Sequence, residues 1–402
     1  MRAKGDGMTG LSISRRAARW GLLLLPLTAS AVGFWIPARP VREATFEQEK
    51  LDSLSTSEFS RLIQDLSEED GYFRSDNFTS NETSYLHVVG KLREMRVSGG
   101  AYLGVGPEQN FTYIAKVRPH IAFIVDIRRQ AMLQHLLYKA LFQISESRAE
   151  FLSALLSQPL GGDGAPGKGA SVERLLDYFG SEPASERTFA ANLARVRKII
   201  QQQFHFPLSA QDQERLEHVY SAFHKEGLGI SFRIGPANWR GWNFPDLREL
   251  VLERDLDGQL GNFLASEEDY RFVRNLHLRN RVIPVVGDFA GPKALAGVGE
   301  YLRKNGYTVR AFYTSNVEQF LFQNGAFEAF AENVQKLPID ANSFFIRAVS
   351  GRGEPPHPAH VPGHRTTTVL QNISVFLKDY GEGAYTDYKS LVTTHFIAGQ
   401  LP

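Results

Sequence analysis

Between Gly100 and Phe376 the chain alternates short apolar runs with longer stretches in which apolar residues recur every three or four positions. The short runs are Ala101 to Val105, Ile121 to Val125, Val282 to Val286, Thr308 to Tyr313, Ser343 to Val349 and Thr367 to Phe376. They predict strands, and the ten or more residues that follow most of them predict helices. Strands that alternate with helices belong to a parallel sheet covered on both faces, so the pattern predicts an α/β fold. The alternation fails once. From Gln143 to Arg281 the periodicity is almost wholly helical, in "SVERLLDYF", "FAANLARVRKIIQQQF" and "SAQDQERLEHVYSAFHKEG", with "GGDGAPGKGA" as a loop between helices. Residues 146–280 are therefore predicted to be a helical insertion or cap between the second and third strands.

Ahead of the first strand, residues 41–99 form an N-terminal helical segment by the same criterion. Leu51, Leu54, Phe59, Leu62, Ile63 and Leu66 fall at helix spacing, "SDNFTSNET" has the composition of a loop, and Tyr85 to Met95 predicts a second helix. The first forty residues differ from all of this. Arg15, Arg16 and Arg19 precede "WGLLLLPLTASAVGFWIP", and "TASA" offers small residues for a signal peptidase. Residues 1–40 are expected to be a signal peptide or a membrane anchor, the apolar run being nearly long enough to span a bilayer. Export to the periplasm or anchoring follows, with a cytoplasmic location if translation starts later. "SRR" suggests a twin-arginine signal, although the following "AARW" departs from that pattern.

Composition narrows the chemistry. Of 402 residues, 43% are hydrophobic and 22% charged, enough apolar material for a large core. A formal net charge of +1 gives no global attraction to nucleic acid or to acidic membranes, so an anionic partner must be met locally. The absence of cysteine excludes thiol nucleophiles, disulfides, iron–sulfur clusters and thiolate zinc sites. No G-x-S-x-G turn supports serine hydrolysis.

The polar residues of interest lie where the predicted strands end. In "AYLGVGPEQNFTYIAKVRPHIAFIVDIRRQ", Gly104 and Gly106 allow a sharp turn and a close backbone approach, and a helix starting near Pro107 aims free N–H groups at the same place. Asp126 ends the second strand about 20 residues on, the interval suited to a nucleoside spanning two adjacent strands. A tight turn followed by an ordinary strand-ending aspartate would have the same spelling. "VIPVVGDFAGPKAL" then places Asp288 at the end of the third strand, and "VRAFYTSNVEQFL" places Ser315, Asn316 and Glu318 at the end of the fourth. In an open α/β sheet these carboxyl ends form the ligand crevice.

In this order the four segments resemble the class I S-adenosylmethionine-dependent methyltransferases, over residues 100 to 145 and 281 to about 350. The chain is also similar to an uncharacterised bacterial family that shares "GVGPEQNFTYI" and "VVGDFAGPKAL". The methyltransferase resemblance implies a doubly wound, mostly parallel Rossmann-like sheet at 100–145 and 281–402, with the helical insertion at 146–280. It implies S-adenosylmethionine as cofactor, held by the turn of Gly104, Gly106 and Glu108 and by Asp126, Asp288 and Ser315, with Asn316 and Glu318 at the transferred methyl; Gln109 and Asn110 either contact a carboxylate of the ligand or are ordinary polar residues of the helix's first turn. Two positions depart from the family. Tyr102 stands where an acid is usual two residues before the first glycine, and Glu108 stands where a third glycine is usual. Glu108 either replaces the missing acid or caps the helix.

Other candidates are weaker. Asn316 and Glu318 could equally cap the helix after "YTSN". Arg128 and Arg129 could meet a charged substrate, with solvated surface arginine favoured for at least one. His357, His360 and His364 in "HPAHVPGH" have no carboxylate in their loop and are expected to form a loop or flap rather than a metal site. Trp239 and Trp242 could line an acceptor pocket, with core or cap packing favoured. Two functions stay open: a methyltransferase of unknown acceptor, or a non-catalytic protein that holds a nucleoside or small metabolite in the same crevice. Exported compartments are not expected to supply this cofactor, so export and methyl transfer pull against each other. The partner in either case is a small molecule, and a membrane is met only through the N-terminal segment.

Overall fold

A computed structural model of the chain describes residues 53–234, 244–350 and 356–399. The leader at 1–40 and the Trp239 and Trp242 cluster lie outside the described residues.

Six strands make one mixed sheet: β1 (Ala101–Gly104), β2 (Ile121–Asp126), β3 (Val282–Val286), β4 (Val309–Ser315), β5 (Phe344–Ser350) and β6 (Thr366–Asn372). Their order across the sheet is β3-β2-β1-β4-β5-β6, with every neighbouring pair parallel except β5 and β6. Every residue of β1, β2 and β3 is buried, which accounts for their unbroken apolar spelling: a strand covered on both faces has no solvent side to alternate with. Pro284 interrupts no ladder because β3 is the edge strand, where a missing N–H is tolerated. The helix Thr56–Leu66 and the residues after it cover that edge, with Glu68 N–H donating to the Val286 carbonyl at 2.8 Å.

The chain runs outward through β1, β2 and β3, then returns to the other side of β1 for β4, β5 and β6. Segments leaving β1 and β4 therefore part in opposite directions, and a crevice opens at the carboxyl ends between them. In register, Gly104 lies opposite Ile124 and Asp126 lies opposite Val286, so β2 reaches two residues beyond the end of β1.

Two strand ends differ from expectation. β6 stops at Asn372 rather than continuing to Phe376, because the Asn372 side chain accepts the N–H groups of Ser374 and Val375 and starts the helix Ile373–Gly381. β4 continues to Ser315 through a register shift after Tyr313, and Ser315 takes a left-handed φ of 54°. The segment expected to be helical from Tyr85 shows turns first, with a helix only at Val89–Glu94.

Between β2 and β3 the described residues supply helices, the longest of them Ala210–Glu226, and no strand of the six-stranded sheet. β2 pairs directly with β3 across this long excursion. Arg233–Ile234 pairs instead with Ser75–Asp76 in a separate two-stranded ribbon, which ties the excursion to the segment preceding β1. Among the described residues no helix is long and apolar enough to cross a membrane.

Candidate functional site

The turn after β1 is held by its own side chains. Asn110, fully buried, donates through Nδ2 to the carbonyls of Val105, Gly106 and Pro107 at 2.9, 3.1 and 2.7 Å, and its Oδ1 accepts from the Tyr102 hydroxyl at 2.9 Å. A Cβ at position 104 would fall 1.9 Å from Asn110 Oδ1, so glycine there makes room for Asn110. Gly106 is required for a different reason. Its φ is +78° and nothing would meet its Cβ, so the backbone conformation alone selects glycine.

Gly106 lines a cavity of about 200 Å³ at the carboxyl ends of the strands, together with Asp126, Asp288, Ser315 and Asn316. Five of the ten residues expected at the site therefore meet in one space. Gly104, Glu108, Gln109, Asn110 and Glu318 do not line it. Three of these serve it from behind: Asn110 shapes the turn, and Gln109 and Glu108 bond to the segment that forms the opposite wall. Gln109 accepts from the Ser80 hydroxyl and donates to Glu82, while Glu108 accepts the Ser80 backbone N–H at 3.2 Å. Burial pushes the Glu108 carboxyl up to about 7, and its Oε2 has no partner.

Glu318 is placed elsewhere. Its side chain is fully buried and accepts from Arg347 Nε at 2.8 Å, with Arg347 also donating to Gln371 at 2.6 Å. The carboxylate expected at the transferred methyl is thus engaged in a core ion pair. Asn316 occupies the N-cap position of the helix Val317–Gln323 without a side-chain capping bond; its Oδ1 lies 3.4 Å from the Ser315 hydroxyl and its amide nitrogen is left to the cavity.

Asp126 is paired as well as exposed to the cavity. Arg128 donates to it through Nε at 2.9 Å, Nη2 at 2.8 Å and its backbone N–H at 3.0 Å. Burial alone would raise this carboxyl; the adjacent guanidinium charge and its bonds outweigh burial and hold it below the usual carboxylate value. Oδ1 takes two of these donors and Oδ2 one, so Oδ2 retains capacity for a ligand hydroxyl. Of the two arginines singled out by sequence, Arg128 is buried in this pair, and Arg129 reaches Asp212 on the helix Ala210–Glu226 at 2.5 Å.

Asp288 lines the cavity with its Oδ1 accepting the Ala290 N–H at 2.9 Å. The N–H groups beside it are already taken. Glu68 accepts from Asp288, Lys293 and Ala294 at 3.0, 2.9 and 2.8 Å and so caps the helix Ala294–Lys304. A Cβ on Gly291 would come within 2.3 Å of Glu68, so this glycine accommodates a protein carboxylate.

Sequence reasoning missed the far wall. Residues of the 72–82 segment, among them Phe73, Asn77, Ser80, Asn81 and Glu82, lie across the strand ends. Glu82 is 2% exposed and accepts from the Tyr313 hydroxyl at 2.8 Å, the Ser315 hydroxyl and Gln109 Nε2 at 2.8 Å. Burial raises its carboxyl above the ordinary value, and these three bonds only partly oppose the rise. A second space of about 440 Å³ adjoins the first, sharing Glu82, Ser315, Asn316 and Phe73 with it and adding Arg74, Arg365, Gln319 and Gln323. No local signal marks Glu82: it sits in a polar loop, and its partners lie 27 to 233 positions away.

The histidines of the later loop take other partners. His357 Nε2 lies 3.0 Å from the Val392 carbonyl, His360 Nδ1 lies 3.0 Å from the Thr367 hydroxyl, and the His364 ring meets His87 edge-on. Among the described residues no group of three or more metal-ligating side chains converges.

A family model described as "Domain of unknown function (DUF7790)" matches residues 77–158 and 176–398. The chain belongs to this family. The matched stretches of the DUF7790 domain contain all six strands, Glu82 and each of the ten site residues expected from sequence; Glu68 and Phe73 precede them. No curated protein matches the chain.

Proposed function

We propose that the DUF7790 domain binds S-adenosylmethionine in the crevice beside β1 and β4 and transfers its methyl group to a small molecule. The sheet is read as doubly wound and Rossmann-like, with residues 146–280 as a helical insertion. One observation carries this reading: Gly106, Asp126, Asp288 and the Ser315–Asn316 pair come from the ends of four strands and line one cavity. In this arrangement Asp126 Oδ2 accepts from a ribose hydroxyl, Asp288 lies toward the base, and Asn316 faces the methyl. Methyl transfer asks little else of the protein than an in-line pocket that excludes water.

Calorimetry with S-adenosylmethionine and S-adenosylhomocysteine tests the reading. Gly106→Val should abolish or strongly weaken binding through its φ and the branched side chain it would place in the cavity. Asn316→Ala should spare binding if that amide serves the acceptor. Failure of the folded wild-type protein to bind either compound would overturn the proposal.

A second reading is favoured by Tyr102 and Glu318. The first places a hydroxyl committed to Asn110 where class I methyltransferases usually have an acid, and the second is locked in an ion pair. A crevice stripped of both suits a protein that binds the nucleoside without transfer. Methyl-labelled cofactor incubated with the protein and small-molecule extract separates the two, since only the enzyme yields labelled product.

A further inference from the structure

Glu82 stands at the wall shared by the two cavities, beside the end of β4. Its three side-chain donors, Tyr313, Ser315 and Gln109, are all neutral, and among the described residues no lysine, arginine or histidine bonds to it. This sets it apart from Asp126, whose charge is met by Arg128, and from Glu318, whose charge is met by Arg347. A buried carboxylate without a counter-charge is costly, and neutral hydrogen bonds offset only part of the cost. Two things can remove the remainder: a cation brought directly against the carboxylate, or a proton on the carboxylate itself.

We propose that Glu82 matches its charge to that of the ligand, ionised opposite the cationic sulfonium of bound S-adenosylmethionine and protonated when neutral S-adenosylhomocysteine fills the same place. This rests on the proposed cofactor. The position follows from Ser315, which bonds Glu82 and precedes Asn316 at the methyl-facing end of β4. Both charge states can be bonded, because the Ser315 and Tyr313 hydroxyls rotate to accept from a protonated Glu82 as readily as they donate to an ionised one. The coupling also suits transfer to an acceptor bearing O–H or N–H. The methyl–sulfur bond breaks with its electron pair left on sulfur, the new bond forms to the acceptor atom, and the acceptor's proton passes to Glu82. One cation and one anion disappear together, which a low-dielectric cavity favours.

Glu108, which burial pushes up to about 7, lines neither cavity and stays in place in Glu82→Gln, so its titration is common to both proteins. The phenols of Tyr102, Tyr113 and Tyr313 are pushed up first by burial and then by the Glu82 charge, and that of Tyr388 first by burial and then by the Glu318 charge, which keeps all four un-ionised. Among the described residues the remaining charged groups of the two cavities are the Asp126–Arg128 pair, Asp288, Arg74 and Arg365, and all of them persist when Glu82 alone is changed.

The experiment is calorimetry of both compounds with the full chain from acid to mildly alkaline pH, comparing wild type with Glu82→Gln. The ratio of the two affinities cancels effects common to the shared nucleoside and amino-acid parts. In wild type the preference for S-adenosylmethionine should rise with pH, by about tenfold or more, as Glu82 ionises. In Glu82→Gln the ratio should be flat. Ser315→Ala keeps the carboxylate but removes one donor to it, so the rise should move to higher pH, and this variant decides the matter if Glu82→Gln does not fold. Binding of both compounds with a ratio independent of pH in wild type, or with the same rise in Glu82→Gln, would overturn the inference and leave the proposed cofactor standing. No binding of either would remove both.

Discussion

Replacing Asp126 by alanine strands Arg128, a side chain whose residue is 8% exposed. In the native protein the carboxylate takes Nε and Nη2 of that guanidinium at 2.9 and 2.8 Å and the Arg128 backbone N–H at 3.0 Å. After the substitution Arg128 keeps only the bond from Nη1 to the Ser75 carbonyl at 2.9 Å. Removing one member of a buried pair costs about 3 to 5 kcal/mol, and here the guanidinium is left with only the more distant charge of Asp76 to offset its burial. Removing both, in Asp126→Leu with Arg128→Met, takes away the attraction and the desolvation cost together and should leave stability within about 2 kcal/mol of wild type. Urea unfolding of Asp126→Leu, Arg128→Met and the double variant measures the coupling, which should be at least about 2 kcal/mol. Acid adds an independent check. The folded-state value of Asp126 is depressed, so its contribution is fully present above the unfolded value of ~3.9 and is lost as pH falls through the folded value. Wild type should therefore lose more stability than the double variant on acidification below about pH 4. An Asp126→Ala protein within about 1 kcal/mol of wild type, or strictly additive single effects, would refute this account of the pair.

Glu318→Ala should cost a similar amount, about 3 to 5 kcal/mol, by leaving the buried Arg347 guanidinium without its carboxylate. Ligand affinity should be unchanged in the folded fraction, since Glu318 lines neither cavity; a selective loss of affinity at full stability would return it to the site. At the other end of the chain, protein recovered from its native host should begin between about Ser30 and Val41, as amino-terminal sequencing would show. An intact amino terminus on soluble cytoplasmic protein would exclude the export signal.

The sequence by itself determined the sheet. Five of the six strands lie within two residues of the apolar runs that predict them, because strands covered on both faces are apolar throughout, as β1, β2 and β3 are, or nearly so, as in β4 and β5 with one arginine each. The exception, β6, ends early through a capping bond of Asn372, a local competition that hydrophobicity does not register. The sequence also determined where polar residues cluster, since strand ends are local features. Only the tertiary structure decided which of these residues share a space. Asp126, Asp288 and Ser315 reach one cavity through the strand order, while Glu318, three residues past Ser315, turns inward to Arg347. Glu68 and Glu82 entered the picture only through folding, because each finds its partners on strands and turns distant in the chain. A carboxylate is spelled alike whether it caps a helix, neutralises an arginine or stands alone in a cavity; its chemistry is set by the charges and the dielectric that other segments bring to it.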